Sequence, residues 1–147
     1  MPESIQNRKA RHEYEVLDTV EAGLVLRGTE VKSVRQGLAN FRDSYADLRN
    51  GELFLVNLHI APYDHGNRHN AETTRPRKLL LHKAEIRKLA QRKDEKGLTL
   101  VPLSLYLKRG LVKVQLALAR GRKQHDKRDA IKQRDIEREL RREGRKR

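Results

Sequence analysis

The chain has 147 residues with no cysteine, no tryptophan and one methionine, and only 4% of its residues are aromatic. Without cysteine, neither disulfides nor thiolate-ligated metals can hold it together. With so few aromatic residues its core has to be aliphatic. No apolar run approaches the roughly 20 residues of a membrane-spanning helix. The first nine residues lack the apolar stretch of a secretory signal. A cytoplasmic protein with no membrane partner is therefore expected. Negative charge is scarce too: 20 Asp and Glu face 34 Lys and Arg, a net charge of +14. At a pI near 10.4, the partner chemistry this favours is polyphosphate, that is, nucleic acid.

The positive charge is unevenly spread. Residues 120–147 hold 13 basic and 6 acidic side chains, a net +7 and half of the chain's total. Such a segment has little to bury and cannot build a core, but it can lie along phosphate. Nearly all aliphatic runs fall before Ala119. This divides the chain into a basic N-terminal arm over 1–13, a folded module over 14–119 and a basic tail over 120–147. The tail is expected to be disordered when free and helical when bound. Residues 129–142 contain no Gly or Pro and carry charge pairs such as Glu137–Arg141 at helical spacing.

Within the module, alternation predicts a strand from Tyr14 to Val20, a turn at Glu21-Ala22-Gly23 and a second strand over Leu24–Arg27. Thr29 is placed to cap a short helix whose inward face is Val31, Val34 and Leu38, ended by Gly37. Asn50-Gly51 is the preferred pair for a type I′ hairpin turn, joining a strand around 44–49 to one over 53–60. That second strand is apolar on both faces, which places it centrally. A long polar loop follows over Pro62–Pro76. A helix is expected over Lys83–Arg92, with Ile86, Leu89 and Ala90 inward, closed at Lys96-Gly97. A last hairpin pairs 98–107 with 111–118. Short strands with small helices between them predict a mostly β fold, a closed or partly closed barrel of the OB type, with a ferredoxin-like sandwich as the alternative.

Catalytic constellations are missing from this pattern. His65 and His69 have metal-ligand spacing only if their loop is helical, which Gly66 disfavours. No phosphate-binding glycine loop, nucleophile elbow or spaced carboxylate cluster is present. The expectation is a monomeric binding protein with no catalytic residues, no metal and no cofactor. Its candidate contacts are the cations around Asn7–His12, the cluster Arg75, Arg77 and Lys78, and Lys113. Glu21 would repel phosphate but can accept hydrogen bonds from base amino groups or a 2′-hydroxyl.

Five motifs then occur in order: Asn7-Arg8-Lys9-Ala10-Arg11-His12-Glu13-Tyr14, Glu21-Ala22-Gly23, Gly28-Thr29-Glu30-Val31-Lys32-Ser33, Arg77-Lys78-Leu79-Leu80-Leu81 and Gly121-Arg122-Lys123-Gln124-His125-Asp126-Lys127-Arg128. Together they resemble the SsrA-binding protein family, SmpB, of bacterial trans-translation, over essentially residues 5–142. The resemblance implies an OB-fold barrel that binds the tRNA-like domain of transfer-messenger RNA. It also implies entry into the A site of stalled ribosomes, with the tail following the vacant mRNA channel from the small-subunit decoding centre. On this basis Asn7, Lys9, His12, Glu21 and Lys113 are expected at the RNA surface, with Arg77 and Lys78 in support. Lys123, His125, Asp126, Lys127 and Arg128 are expected to act at the ribosome. A ribosomal or ribosome-assembly protein bound to ribosomal RNA is the alternative, and a metal-dependent nuclease using His65 and His69 the more distant one.

Overall fold

The computed structural model describes residues 4–63 and 72–122. Nine strands and three helices run in the order β1 (Ser4–Gln6), α1 (Arg8–Glu13), β2 (Tyr14–Leu24), α2 (Gly28–Arg35), β3 (Ala39–Asn40), β4 (Tyr45–Arg49), β5 (Glu52–Val56), β6 (His59–Ile60), β7 (Arg77–Leu80), α3 (Lys83–Lys96), β8 (Thr99–Lys108) and β9 (Leu111–Gly121). Seven strands form one antiparallel sheet in the order β1-β8-β9-β2-β7-β5-β4, and β3 pairs with β6. The sheet curls until β4 lies beside β8, although among the described residues no ladder joins them. The fold is mostly β with short helices.

The period-2 pattern of β9 explains how the core is filled. Val112, Val114, Leu116 and Leu118 point inward with Leu100 and Leu105 of β8, Ala22 and Leu24 of β2, and Leu53 and Leu55 of β5. Ile86 and Leu89 of α3 pack against the same cluster. The opposite face of β8 and β9 carries a smaller cluster of Val101, Leu103, Ala117 and Ala119, covered by Ala10 of α1 and Tyr14.

Local signals hold where turn chemistry is strict. Asn50 and Gly51 both have positive φ, at 50° and 79°, and connect β4 to β5. Gly97 ends α3 in the left-handed conformation, and Gly37, with φ at 76°, follows the end of α2.

Five expectations need correction. Residues 4–13 form a paired strand and a docked helix rather than an arm. There is no turn at Glu21-Ala22-Gly23: β2 runs through it, because Glu21, Ala22 and Gly23 pair with Gln115, Val114 and Lys113 while Ala22 is buried. Tertiary pairing overrides the turn propensity of Ala-Gly. The helix cap is Arg27, whose amide donates to Glu30 Oε1 at 2.8 Å; Thr29 lies inside the helix. The strand expected over 53–60 breaks at Asn57, whose φ is 66°, so its last two residues leave the large sheet and pair with β3. Near the C-terminus, β9 continues to Gly121, so the boundary expected at 119–120 falls within a strand.

Candidate nucleic-acid interface

On the sheet face opposite the main core, two of the singled-out residues, Glu21 and Lys113, come together. Along β9, Lys113, Gln115, Ala117 and Ala119 share this face. The alanines are buried beneath α1, and the polar pair, some 13 Å further along at ~3.3 Å per residue, is left partly open.

A bulge in β8 sets the position of α1. The β8–β9 register slips between Pro102 and Ser104, which takes the carbonyls there out of the ladder. Asn7 takes up both: its amide donates to the Leu103 carbonyl at 2.8 Å and its side-chain Nδ2 to the Pro102 carbonyl at 2.8 Å. Its Oδ1 accepts from the Ala10 amide at 3.2 Å and caps α1. Asn7 is only 5% exposed, so it holds α1 in place rather than facing a partner. From that helix, Lys9 pairs with Asp43 at 2.7 Å, which raises the lysine's pKa and lowers the aspartate's. His12 is exposed.

At the open end of the face, three strands converge on Glu21. β9 lies between β2 and β8, so Lys113 sits opposite Gly23 on one side and Tyr106 on the other. Tyr106 reaches across β9 and donates its hydroxyl to Glu21 Oε2 at 2.5 Å, and Lys108 Nζ lies 3.4 Å from Oε1. The Tyr106 hydrogen bond leads the causes that hold the Glu21 carboxyl below its usual pKa, with Lys108 and Lys113 adding to it. Burial and the carboxylate acceptor push the Tyr106 hydroxyl up to about 12, so it stays a donor. Glu21, Gly23 and Lys113 line an open groove of about 350 Å³ that continues over Leu80, Leu81, His82 and Glu85. Gly23 keeps its floor low: a Cβ there would come within 3.3 Å of Leu80 Cβ.

Arg77 lies elsewhere. It is fully buried, and its guanidinium is consumed by Glu30 Oε2 at 2.6 Å, the Leu58 carbonyl at 2.5 Å and the Thr73 carbonyl at 3.0 Å. Arg75 also pairs with Glu30. The expected place of Arg77 on an RNA surface is thus corrected: it is an internal strut that ties α2 to Leu58 and Thr73. Lys78, next along β7, is exposed and pairs with Glu52 at 3.3 Å. Lys123, His125, Asp126, Lys127 and Arg128, like His65 and His69, lie outside the described residues. Tyr106 was missed in the sequence because it reads as one more β-former in an apolar strand; its even spacing with Lys108 was the available signal.

A strongly basic, mostly β protein with a polar groove on an open sheet face belongs to the class of recognition modules rather than pocketed small-molecule binders. The model of the SmpB protein family matches residues 4–146. An SsrA-binding protein of Desulforudis audaxviator is 60% identical over 140 residues, covering 95% of this chain and 92% of its own. One from Staphylococcus saprophyticus is 57% identical, covering 94% and 90%. A solved structure described as "tmRNA-SmpB: a journey to the center of the bacterial ribosome" contains a chain of 50% identity and TM-score 0.71, matched over 88% of this chain and 95% of that one. The chain belongs to the SmpB family.

Proposed function

We propose that this protein binds the tRNA-like domain of transfer-messenger RNA and accompanies it to stalled ribosomes in the cytoplasm, acting as a monomer by binding rather than by catalysis. The observation that carries the reading is the groove where Glu21, Lys113 and exposed Leu80 meet. These side chains offer a carboxylate acceptor for base amino groups or a 2′-hydroxyl, a cation for phosphate and an apolar shelf for a base or ribose. A chain of net charge +14 attracts any RNA, but a fixed carboxylate rejects contacts that present only phosphate, so the groove supplies selectivity. Lys9 and His12 on α1 extend the contact along the same face, with Lys78 at the margin. Lys123, His125, Asp126, Lys127 and Arg128 act at the small-subunit decoding centre and mRNA channel.

Binding of the full-length protein to the isolated tRNA-like domain tests this at fixed salt. Glu21→Ala is expected to weaken binding about tenfold or more, as expected when a charged hydrogen-bonding group is lost. Lys113→Ala should weaken it and reduce the salt slope by about one. If both variants bind like the wild type, the groove is not the RNA site.

A further inference from the structure

We infer that Tyr106 is a positioning residue that fixes the Glu21 carboxylate in the orientation that reads RNA, an inference that rests on the groove's being the RNA site. Glu21 is exposed, and an unrestrained glutamate on a sheet face samples several rotamers, whose loss on binding opposes affinity. Here the freedom is already removed. The Tyr106 side chain, half-buried on β8, spans the intervening strand and its hydroxyl donates to Oε2 at 2.5 Å, while Lys108 Nζ donates to Oε1 at 3.4 Å. Tyrosine suits this task because its ring is rigid and its hydroxyl, neutral across the physiological range, can donate to the carboxylate. The hydrogen bonds from Tyr106 and Lys108 use only part of the carboxylate's acceptor capacity. Glu21 lines the groove with Gly23 and Lys113, so the capacity that remains can accept from a base amino group or ribose hydroxyl there. Tyr106 itself does not line that groove; its effect on RNA passes through Glu21.

The test is a double-mutant cycle on the full chain, with the isolated tRNA-like domain as probe. Tyr106→Phe keeps the ring and removes only the donor, and is expected to weaken binding about tenfold. Because no phosphate contact is lost, the salt slope should stay at the wild-type value. In a Glu21→Ala background, the same substitution should cost less than twofold. Independently, carboxyl NMR of Tyr106→Phe should show Glu21 titrating closer to the ordinary 4.5. An equal loss in both backgrounds would overturn the inference, since Tyr106 would then act on RNA directly or through the fold. So would wild-type affinity in Tyr106→Phe while Glu21→Ala is impaired. If Glu21→Ala itself binds normally, the reading of the groove fails and takes this inference with it.

Discussion

Among the described residues, Glu30 is a buried carboxylate held by two arginines. It is 4% exposed and accepts from the Arg27 amide, Arg75 and Arg77. Burial pushes its carboxyl pKa up, but hydrogen bonds from Arg75, the Arg27 amide and Arg77 outweigh that and hold it below 4.5. Removing either partner of a buried pair is costly because the survivor keeps its charge without compensation. The two partners are not equivalent here. After Arg77→Met, Glu30 still has Arg75; after Glu30→Gln, a fully buried Arg77 has no counter-charge. Glu30→Gln is therefore expected to cost about 3–5 kcal/mol and Arg77→Met less, read from denaturant midpoints at pH 7. A depressed carboxyl pKa contributes stability that is present above its unfolded value and lost as pH falls through the folded one. The gap between wild type and Glu30→Gln should accordingly narrow below pH 4.5. An unchanged gap at pH 3 would contradict this account of the strut.

The elements show where sequence reading reached its limit. Asn50-Gly51 and Gly97 were legible because a positive φ admits few residue types. The inward face of β9 was legible because its alternation is unbroken. The path of β2 through Glu21-Ala22-Gly23 was not, since only the pairing with β9, 90 to 94 residues later, decides it. The same limit hid Arg77: Arg77-Lys78 reads as a basic pair, and nothing local shows that Glu30 awaits one member inside the fold. Glu21 and Lys113 were both singled out, while the tyrosine that reaches across β9 to Glu21 was not. Asn7 was singled out, but its burial was invisible because its partners are carbonyls freed by a bulge in β8. That arrangement makes a prediction for α1. Asn7→Ala removes the cap of a six-residue helix and leaves the buried Pro102 carbonyl unpaired. The cap is worth about 1 kcal/mol and the unpaired group about 1–3 kcal/mol. Hydrogen exchange should quicken at the Ala10 amide, and at the Arg122 amide, which donates to the Glu13 carbonyl at 2.8 Å. If exchange there were unchanged, the bulge would not be what seats α1.

At the scale of the whole molecule, the sheet face gathers the two ends of the described chain. β1 pairs with β8, α1 covers one end of the face, and Arg122 is tied back to Glu13 where α1 gives way to β2. Arg122, the last described residue, therefore lies at the α1 end of the face, some distance from the Glu21 groove at its other end. Half of the chain's net charge lies in residues 120–147, so two outcomes are possible when that charge is cut. If the segment merely adds general attraction, affinity for the tRNA-like domain should fall along with every other function. If the groove recognises the RNA and the tail acts at the ribosome, the defects should separate. The second is expected, because non-specific phosphate contacts weaken steeply with salt whereas the groove's hydrogen bonds do not. Lys127→Ala combined with Arg128→Ala should bind the isolated tRNA-like domain within about twofold of wild type at physiological salt, where screening leaves distant exposed charges little influence. The same protein should lose most peptide tagging in a reconstituted translation system stalled on a message without a stop codon. Glu21→Ala should fail in both assays, and excess transfer-messenger RNA should restore its tagging but not that of the tail variant. Loss of RNA affinity in the tail variant as severe as in Glu21→Ala would reduce the two sites to one.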